Sequence, residues 1–447
     1  MKWTKQAKAI PVLFMLLLLA LTSLAATDKP TITLQQALDA ASANNIDLSI
    51  AKVKLQQTLR TQNATASTYM PTFSLTGGLT TGGSLIGGTF SGLSASATAG
   101  VSMSFNGAMI TDSTTRSLAK EGANLSYQQT SNTLEDNIVS AYWNLVANDH
   151  AVAQAELSLQ DAQRQLQVAQ ERYDNGLAPQ LTVAQATLSV SQAQIQLKQY
   201  EDSRALALAS FRAMTGIEET DFALEELPDT VELSLPDAQR LYQEYSSGST
   251  TVRTLQNSVA QAQNNSETTK LSNRVPTVSV SGSWGLTGTI VNGTTTTQQN
   301  NSNKDTATVS VSVSVPLSSY ISGTTQNLAI KDSEDAVTTA RLQLQSGQED
   351  LLQSIEKAAI TITQQQENLR LKQQNLETAQ YSYDLSEEAF EAGLLTNQEL
   401  ETARTSLLNA RIDILSTRLN HLLSCYGLAS LLEIDLQTLQ SRYSPAL

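Results

Sequence analysis

The sequence has a single cysteine, Cys425, and only two histidines among its 447 residues, His150 and His421. One cysteine cannot form an intrachain disulfide, and the lack of a cysteine behind the N-terminal segment predicts that there is no lipid anchor. His421 and Cys425 stand at helical i, i+4 spacing. Two ligands alone make a poor metal site, so a role in helix packing is the preferred interpretation.

Catalytic and nucleotide-binding motifs are also missing. The chain has no HExxH, no cysteine pair, no GxSxG and no Walker A sequence, and its carboxylates follow no repeated catalytic spacing. The glycines at 77–88 are not followed by Lys-Ser/Thr, so barrel turns explain them better than a phosphate loop does. We therefore predict a protein that is not an enzyme and that holds neither a cofactor nor a metal.

Aromatic residues make up only 5% of the chain, and the net charge is −14. The acidic balance argues against nucleic acid as a partner and favours cations near any channel. The scarcity of aromatic side chains disfavours a compact periplasmic binding module, which would need a core and a pocket.

The N-terminus has the pattern of a secretory signal peptide, for which we predict residues 1–25. Lys2, Lys5 and Lys8 precede an apolar run at 10–20, which is shorter than the ~20 residues of a membrane-spanning helix. Removal of the three lysines would change the net charge to −17. No later stretch resembles a transmembrane helix, so membrane insertion would have to use strands.

The remaining chain is a duplication. "PTFSLTGG" (71–78) matches "PTVSVSGS" (276–283), and "ERYDNGL" (171–177) matches "EAFEAGL" (388–394). Each copy reads as a helix, a strand that begins at proline, a polar loop, a second strand, a very long helix, a Gly-Leu turn and a returning helix. The predicted domains are a first repeat at 26–216, a linker at 217–248, a second repeat at 249–433 and a C-terminal tail at 434–447.

Four predicted strands alternate apolar and small polar residues, so each has one apolar face. They are joined in pairs by Gly-, Thr- and Asn-rich segments, predicted as loops at 80–92 and 291–305. A soluble sandwich could show the same alternation. The strands, however, have the length of transmembrane strands, and two hairpins cannot close a barrel of the ~8 strands that the smallest ones need. The residues predicted to face lipid are Val101, Met103, Val278, Val280, Val309, Val311, Val313 and Val315.

Two stretches without proline, 112–175 and 324–392, predict helices of ~60 residues, or ~90 Å each at ~1.5 Å per residue. Their apolar residues keep heptad spacing, and so do those of the returning helices. This spacing predicts helices that pack side by side, with alanines allowing close approach. The seam residues in the first repeat are Val152, Ala155, Leu159, Ala162, Leu166, Ala169, Tyr173, Val183, Ala186, Val190, Ala193 and Leu197. Those in the second are Leu369, Leu376, Ala379, Tyr383, Phe390, Leu400, Ala403, Leu407, Ala410 and Ile414.

Taken in order and twice over, these motifs resemble the TolC family of outer-membrane efflux and secretion channels. The resemblance covers about 33–433 and begins with "ITLQQALDAASANN" (32–45). It implies a mainly α fold with a small β part. Long antiparallel coiled-coil hairpins would form an α-barrel in the periplasm, and four strands from each chain of a homotrimer would form a 12-stranded transmembrane β-barrel in the outer membrane.

The resemblance also implies partners. The protein would be the outer-membrane duct of a tripartite efflux or type I secretion system, with outer-membrane lipid around its strands. A periplasmic adaptor protein would dock at the two helix-hairpin turns, Gly176 and Leu177 with Gly393 and Leu394. An inner-membrane RND or ABC transporter would supply the energy for small molecules or polypeptides to leave. Glycine in a tight turn explains the two glycines equally well without a partner.

Alignment on Gly393 puts Glu399 at the place of an acidic pore constriction, although a solvated helix-terminal glutamate explains it too. Other positions of the family's latch carry no charge here, namely Leu395, Thr402 and Thr182. Gating by the family's pairs is therefore not expected.

A coiled-coil structural or adhesive surface protein is the alternative function. Its helices would form a stalk and its strands a head, but a stalk needs no alternating hairpins of bilayer length.

Overall fold

The computed structural model describes residues 31–65, 69–84, 89–219, 222–228, 232–291 and 304–444. The predicted signal segment and most of the predicted loop at 291–305 lie outside these residues. The helices are α1 (Leu34–Asn44), α2 (Ile46–Asn63), α3 (Ala108–Asp174), α4 (Gln180–Thr215), α5 (Ala238–Tyr245), α6 (Thr250–Arg274), α7 (Thr325–Glu391), α8 (Asn397–Leu432) and α9 (Leu436–Tyr443), with a 3-10 turn at Leu317–Tyr320. The strands are β1 (Thr31–Ile32), β2 (Thr72–Ser84), β3 (Thr89–Phe105), β4 (Ala223–Leu224), β5 (Thr277–Val291) and β6 (Lys304–Ser314).

The fold is mainly helical with one substantial sheet, as the sequence predicts. The two longest helices, α3 and α7, each have 67 residues, and the returning helices α4 and α8 each have 36. The helix hairpins of the two repeats thus have helices of equal length. None of the helices in the described part of the chain is long and apolar enough to cross a membrane.

The described residues form two compact units, each built from three separate stretches. The first unit comprises 31–45, 135–232 and 362–425, and the second comprises 46–134, 233–361 and 426–444. Helices α3, α7 and α8 contribute residues to both.

The first unit contains the turn ends of the two antiparallel helix hairpins, with 135–174 of α3 beside α4 and 362–391 of α7 beside 397–425 of α8. The predicted heptad seams are buried there, because small and branched residues face each other along the paired helices. One exception is Tyr173, which is exposed at the end of its seam. The buried seam residues include Ala155, Ala162, Ala169, Ala186, Ala193, Leu369, Tyr383, Phe390, Leu400, Leu407 and Ala410.

Tyr142 fixes the start of the first repeat to the linker. Tyr142 packs edge-on against Trp143 with ring centroids 5.1 Å apart. Its hydroxyl donates to Ile32 O at 2.9 Å and accepts from the Glu225 N–H at 3.0 Å. This one hydroxyl therefore joins the short parallel strands β1 and β4, which pair with each other.

The second unit contains a four-stranded antiparallel sheet in the order β2-β3-β5-β6. The predicted loop at 80–92 is wrong in its bounds. Strands β2 and β3 continue pairing as far as Ser84 and Thr89, with a register shift between Gly82 and Gly83. Thr and Gly are compatible with an extended backbone, so polar composition alone does not end a strand.

Candidate functional site

Three features of the chain are candidates for function: the turns of the two helix hairpins, the contacts between those hairpins, and the faces of the sheet. The turns and the contacts lie in the first unit, and the sheet lies in the second.

The two hairpin turns have the same backbone structure. At the first, the Gly176 N–H donates to Tyr173 O at 2.9 Å, and the Leu177 N–H donates to Arg172 O at 2.8 Å. At the second, the Gly393 N–H donates to Phe390 O, and the Leu394 N–H donates to Ala389 O, both at 2.9 Å. These paired bonds define a Schellman helix end.

Glycine is required at these turns by backbone conformation. Gly176 has φ 71° and Gly393 has φ 78°, in the left-handed region that side chains with a Cβ disfavour. A Cβ at either position would meet no atom within 4 Å. The turns themselves therefore account for the glycines.

The leucines that follow are not explained by the turns. In a Schellman motif this position commonly makes an apolar contact with the preceding helical turn. Here Leu177 is 79% exposed and Leu394 is 83% exposed, so neither finds such cover within the chain. Each hairpin turn thus presents one large apolar side chain to its surroundings.

Arg172, which is not among the residues predicted from the sequence, connects the two turns. Its Nη2 donates to Phe390 O at 2.9 Å and to Glu391 O at 2.8 Å, which are carbonyls of the last turn of α7. Its guanidinium also lies 4.8 Å from the centroid of the Phe390 ring. The equivalent residue of the second repeat is Ala389. The sequence offered one signal for Arg172, because the matching motifs "ERYDNGL" and "EAFEAGL" differ in charge at this position.

Further arginines link the same hairpins. Arg404 of α8 is buried, donates to Ser158 O of α3 at 2.9 Å and pairs with Glu401 at 2.6 Å. Arg411 of α8 approaches Gln154 Oε1 of α3 at 3.4 Å. Hydrogen-bonded cations thus connect α3 with both helices of the second hairpin.

Glu399, the predicted constriction residue, is exposed and closes the N-terminus of α8. Its Oε2 accepts from the Thr396 N–H at 3.0 Å and from the Thr396 hydroxyl at 2.7 Å. The Glu399 N–H in turn donates to Thr396 Oγ1 at 3.3 Å, which completes a capping box. The two bonds from Thr396 lower the pKa of the Glu399 carboxyl. The first hairpin has no such cap, because Pro179 stands at the start of α4.

The uncharged latch positions have local roles. Leu395 packs against the buried cluster of Tyr383, Phe390, Leu400 and Leu407. The Thr402 hydroxyl donates to Gln398 O at 2.9 Å, within its own helix. The Thr182 N–H donates to Pro179 O at 3.0 Å in the first turn of α4.

The sheet has one apolar and one hydroxyl-rich face. Because residues opposite each other on neighbouring strands share a face, the register fixes the apolar rows. The paired rows are Phe73-Val101-Gly282-Val309, Leu75-Ala99-Trp284-Ala307, Met103-Val280-Val311 and Phe105-Val278-Val313. Seven of the eight predicted lipid-facing residues lie in these rows. Val315 follows the last residue of β6 and precedes Pro316, which has no N–H for a ladder.

On the opposite face, hydroxyls of neighbouring strands bond to each other. Thr72 Oγ1 lies 2.7 Å from Ser102 Oγ, and Ser281 Oγ lies 2.7 Å from Ser310 Oγ. The apolar side chains of β2 and β6 are exposed in the single chain, including Phe73 and Val309.

His421 and Cys425 are both buried in α8, with Cys425 Sγ 3.9 Å from His421 Nε2. Burial raises the pKa of the Cys425 thiol to about 12. In the described part of the chain, no group of three His, Cys, Asp or Glu side chains could hold a metal ion.

Comparison with known proteins gives one family and a set of similar structures. The family model described as outer membrane efflux protein matches residues 37–217 and 241–432. A comparison with curated protein sequences found no significant match.

Among solved structures, CusC, described by its transmembrane channel formation, has a TM-score of 0.72 at 15% identity, over 89% of this chain and 91% of its own. The outer membrane channel CmeC of Campylobacter jejuni has a TM-score of 0.70 at 15% identity, and the match covers 91% of this chain and 88% of CmeC. The outer membrane channel MtrE of Neisseria gonorrhoeae has a TM-score of 0.68 at 17% identity, and the match covers 90% of this chain and 89% of MtrE. At these identities the likeness establishes the fold.

Proposed function

Because the chain belongs to the outer membrane efflux protein family, we propose that it is the passive exit duct of a tripartite efflux or type I secretion system. It is an outer-membrane protein of TolC-like fold. The observation that carries the proposal is the four-stranded sheet, which has a continuous apolar face and two edge strands that pair with no further strand among the described residues.

The edges of the sheet support a homotrimer. Strands β2 and β6 each have an unpaired side within the described residues. The free N–H and C=O groups of such an edge can pair with a strand of another chain. In lipid every backbone polar group must be bonded, so the edges must be closed by other strands. Three chains with four strands each would supply a closed 12-stranded barrel, with β6 of one chain beside β2 of the next.

Cysteine labelling tests the orientation of the strands. Since the natural Cys425 is buried, an introduced cysteine should react alone. In liposomes, Val311→Cys should react with a lipid-soluble maleimide and resist a charged one, whereas Ser310→Cys should react with the charged reagent. Equal reaction of both variants with the charged maleimide would contradict a lipid-facing valine row.

The exposed leucines at the hairpin turns support a docking site for a periplasmic adaptor. Leu177 and Leu394 each follow a glycine of fixed conformation, so their position is defined although they are exposed. An adaptor that covered them would gain ~2 kcal/mol from each. The inner-membrane RND or ABC transporter would then supply the energy for export.

Export assays test this docking site. The double variant Leu177→Ser, Leu394→Ser should lose drug resistance or secretion in cells while its conductance in bilayers stays unchanged. Leu206→Ser, which changes a similarly exposed leucine within α4, is the matched control. Full export by the double variant would exclude these leucines from docking.

Glu399 is the proposed constriction, in which three carboxylates near one axis would favour cations. Glu399→Gln keeps the capping box and removes the charge, whereas Glu399→Ala removes both. If Glu399 lines the constriction, both variants should lower cation selectivity, and Glu399→Ala should also raise conductance. If Glu399→Gln left cation selectivity unchanged, Glu399 would have no role in the constriction and would only cap α8.

A further inference from the structure

A cavity of about 370 Å³ lies in the second unit, apart from the hairpin turns and the faces of the sheet. Its volume is within the ~300–1,000 Å³ of small-molecule sites. It is lined by Gln62, Asn63, Thr65, Tyr69, Asp112, Ser113, Arg116, Ser117 and Lys120. The end of α2 and one face of α3 thus form its walls.

The cavity has a net positive charge in an otherwise acidic chain. Asp112, Arg116 and Lys120 follow each other at intervals of four along α3, so they share one helix face. Arg116 Nε lies 2.7 Å from Asp112 Oδ2 and neutralises it. Lys120 is half-buried, and no carboxylate in the described residues lies within ion-pair distance of it.

Arg116 is already held by the protein. Its Nη1 donates to Thr61 O at 3.3 Å and to Gln62 O at 3.2 Å, which caps the C-terminus of α2. Lys120 is therefore the cation available to a ligand. Ser113, Ser117 and Thr65 add hydroxyl donors around it.

Two exposed apolar residues are close in sequence to residues of the cavity lining, Met70 next to Tyr69 and Ile110 two residues before Asp112. Met70 is 65% exposed and precedes β2 by two residues, and Ile110, in the first turn of α3, is 68% exposed. Tyr69 lines the cavity and donates its hydroxyl to Asp112 Oδ2 at 3.4 Å. Tyrosine with one apolar and one polar end is typical of a membrane interface.

We propose that this cavity binds the phosphodiester headgroup of a glycerophospholipid. Lys120 would donate to the phosphate oxygens, and the acyl chains would lie against Met70 and Ile110. The proposal rests on the proposed function in one respect, since it needs the strands to enter the membrane at Thr72. A free phosphate fits Lys120 equally, but it would leave the exposed apolar residues uncovered.

Native mass spectrometry of the full-length protein in mild detergent tests the site with three probes. Phosphatidylglycerol carries phosphate and acyl chains, diacylglycerol lacks the phosphate, and glycerol 3-phosphate lacks the chains. We expect saturable binding of phosphatidylglycerol, at least tenfold weaker binding of each of the other two, and about tenfold weaker binding of phosphatidylglycerol to Lys120→Gln. The control variant is Lys331→Gln, which changes an exposed lysine outside the cavity and should alter the affinity for phosphatidylglycerol less than twofold.

Equal binding of phosphatidylglycerol by the parent protein and Lys120→Gln would overturn the proposal. Tight binding of glycerol 3-phosphate would show that the cavity takes a soluble phosphate, and it would overturn the assignment of a lipid ligand. Conductance recorded on the same preparations separates the two ideas, because a conducting protein without a lipid site refutes only the cavity. Normal conductance of Lys120→Gln would show that the variant is folded.

Discussion

Arg172 allows a quantitative test of how the two hairpin turns are held together. Its two bonds to carbonyls of α7 and its contact with the Phe390 ring would all be lost in Arg172→Ala. Phe390 belongs to a buried cluster, whose other members are untouched by the change. The variant should therefore loosen the last turn of α7 locally and leave the rest of the hairpin intact.

The expected size follows from the contacts. A hydrogen bond from a charged donor contributes ~1.5–3 kcal/mol when it is desolvated. Because Arg172 is half-exposed and water can replace it at both carbonyls, we take ~1 kcal/mol for each bond. The cation–π contact adds ~0.5 kcal/mol. The sum of ~2.5 kcal/mol corresponds to a roughly 60-fold rise in local opening.

Hydrogen exchange of the detergent-solubilised protein measures this opening. Amides of the last turn of α7 should exchange roughly 60 times faster in Arg172→Ala. The matched control is Arg164→Ala, two helical turns earlier, because Arg164 is 57% exposed and lies 3.9 Å from Glu387. That control should change exchange by about twofold or less. Equal exchange in the two variants would refute the assigned role of Arg172.

Three other predictions concern single residues. Gly393→Ala should destabilise the second turn by ~1–2 kcal/mol because of its positive φ, whereas Gly427→Ala, within α8 and without steric conflict, should stabilise by ~0.5–1 kcal/mol; thermal unfolding that shifts in the same direction for both would contradict this. Hydrogen bonds lower the pKa of Glu399 in the folded chain, so its cap is fully present above the ordinary pKa and is lost as pH falls through the lowered value. The protection factors of the amides in the first turn of α8, which are corrected for the intrinsic pH dependence of exchange, should fall only under acid, and Glu399→Gln should abolish this fall; a fall that persists in the variant would assign it to another group. Cys425, whose pKa is raised to about 12 by burial, should resist alkylation at pH 8 until the protein is denatured, and rapid labelling of the native protein would contradict its burial.

Periodicity explains why much of the fold was predictable. The heptad spacing around Ala162 and Leu407 and the alternation around Val311 depend only on which side of a helix or strand a residue occupies. Those patterns survive in the structure as buried seams and as apolar rows. The bounds of the loop at 80–92 were not predictable from composition, since cross-strand pairing extends both strands into it.

The contacts between hairpins were less accessible to sequence reasoning. Arg172 bonds to backbone carbonyls more than 200 residues away, and because every residue has a carbonyl, the residue type does not reveal which one is the acceptor. Arg404 likewise bonds to Ser158 O. The capping box at Thr396 and Glu399 was predictable, because it follows the T-x-x-E spacing of a helix N-terminus.

Whether the protein forms a channel is decided by planar-bilayer recording of the purified protein, with its mass measured in detergent. A trimeric mass and discrete, cation-favouring conductance steps of uniform size are expected of the duct. A water-soluble chain that stays monomeric and gives no conductance would contradict the duct and favour a coiled-coil stalk.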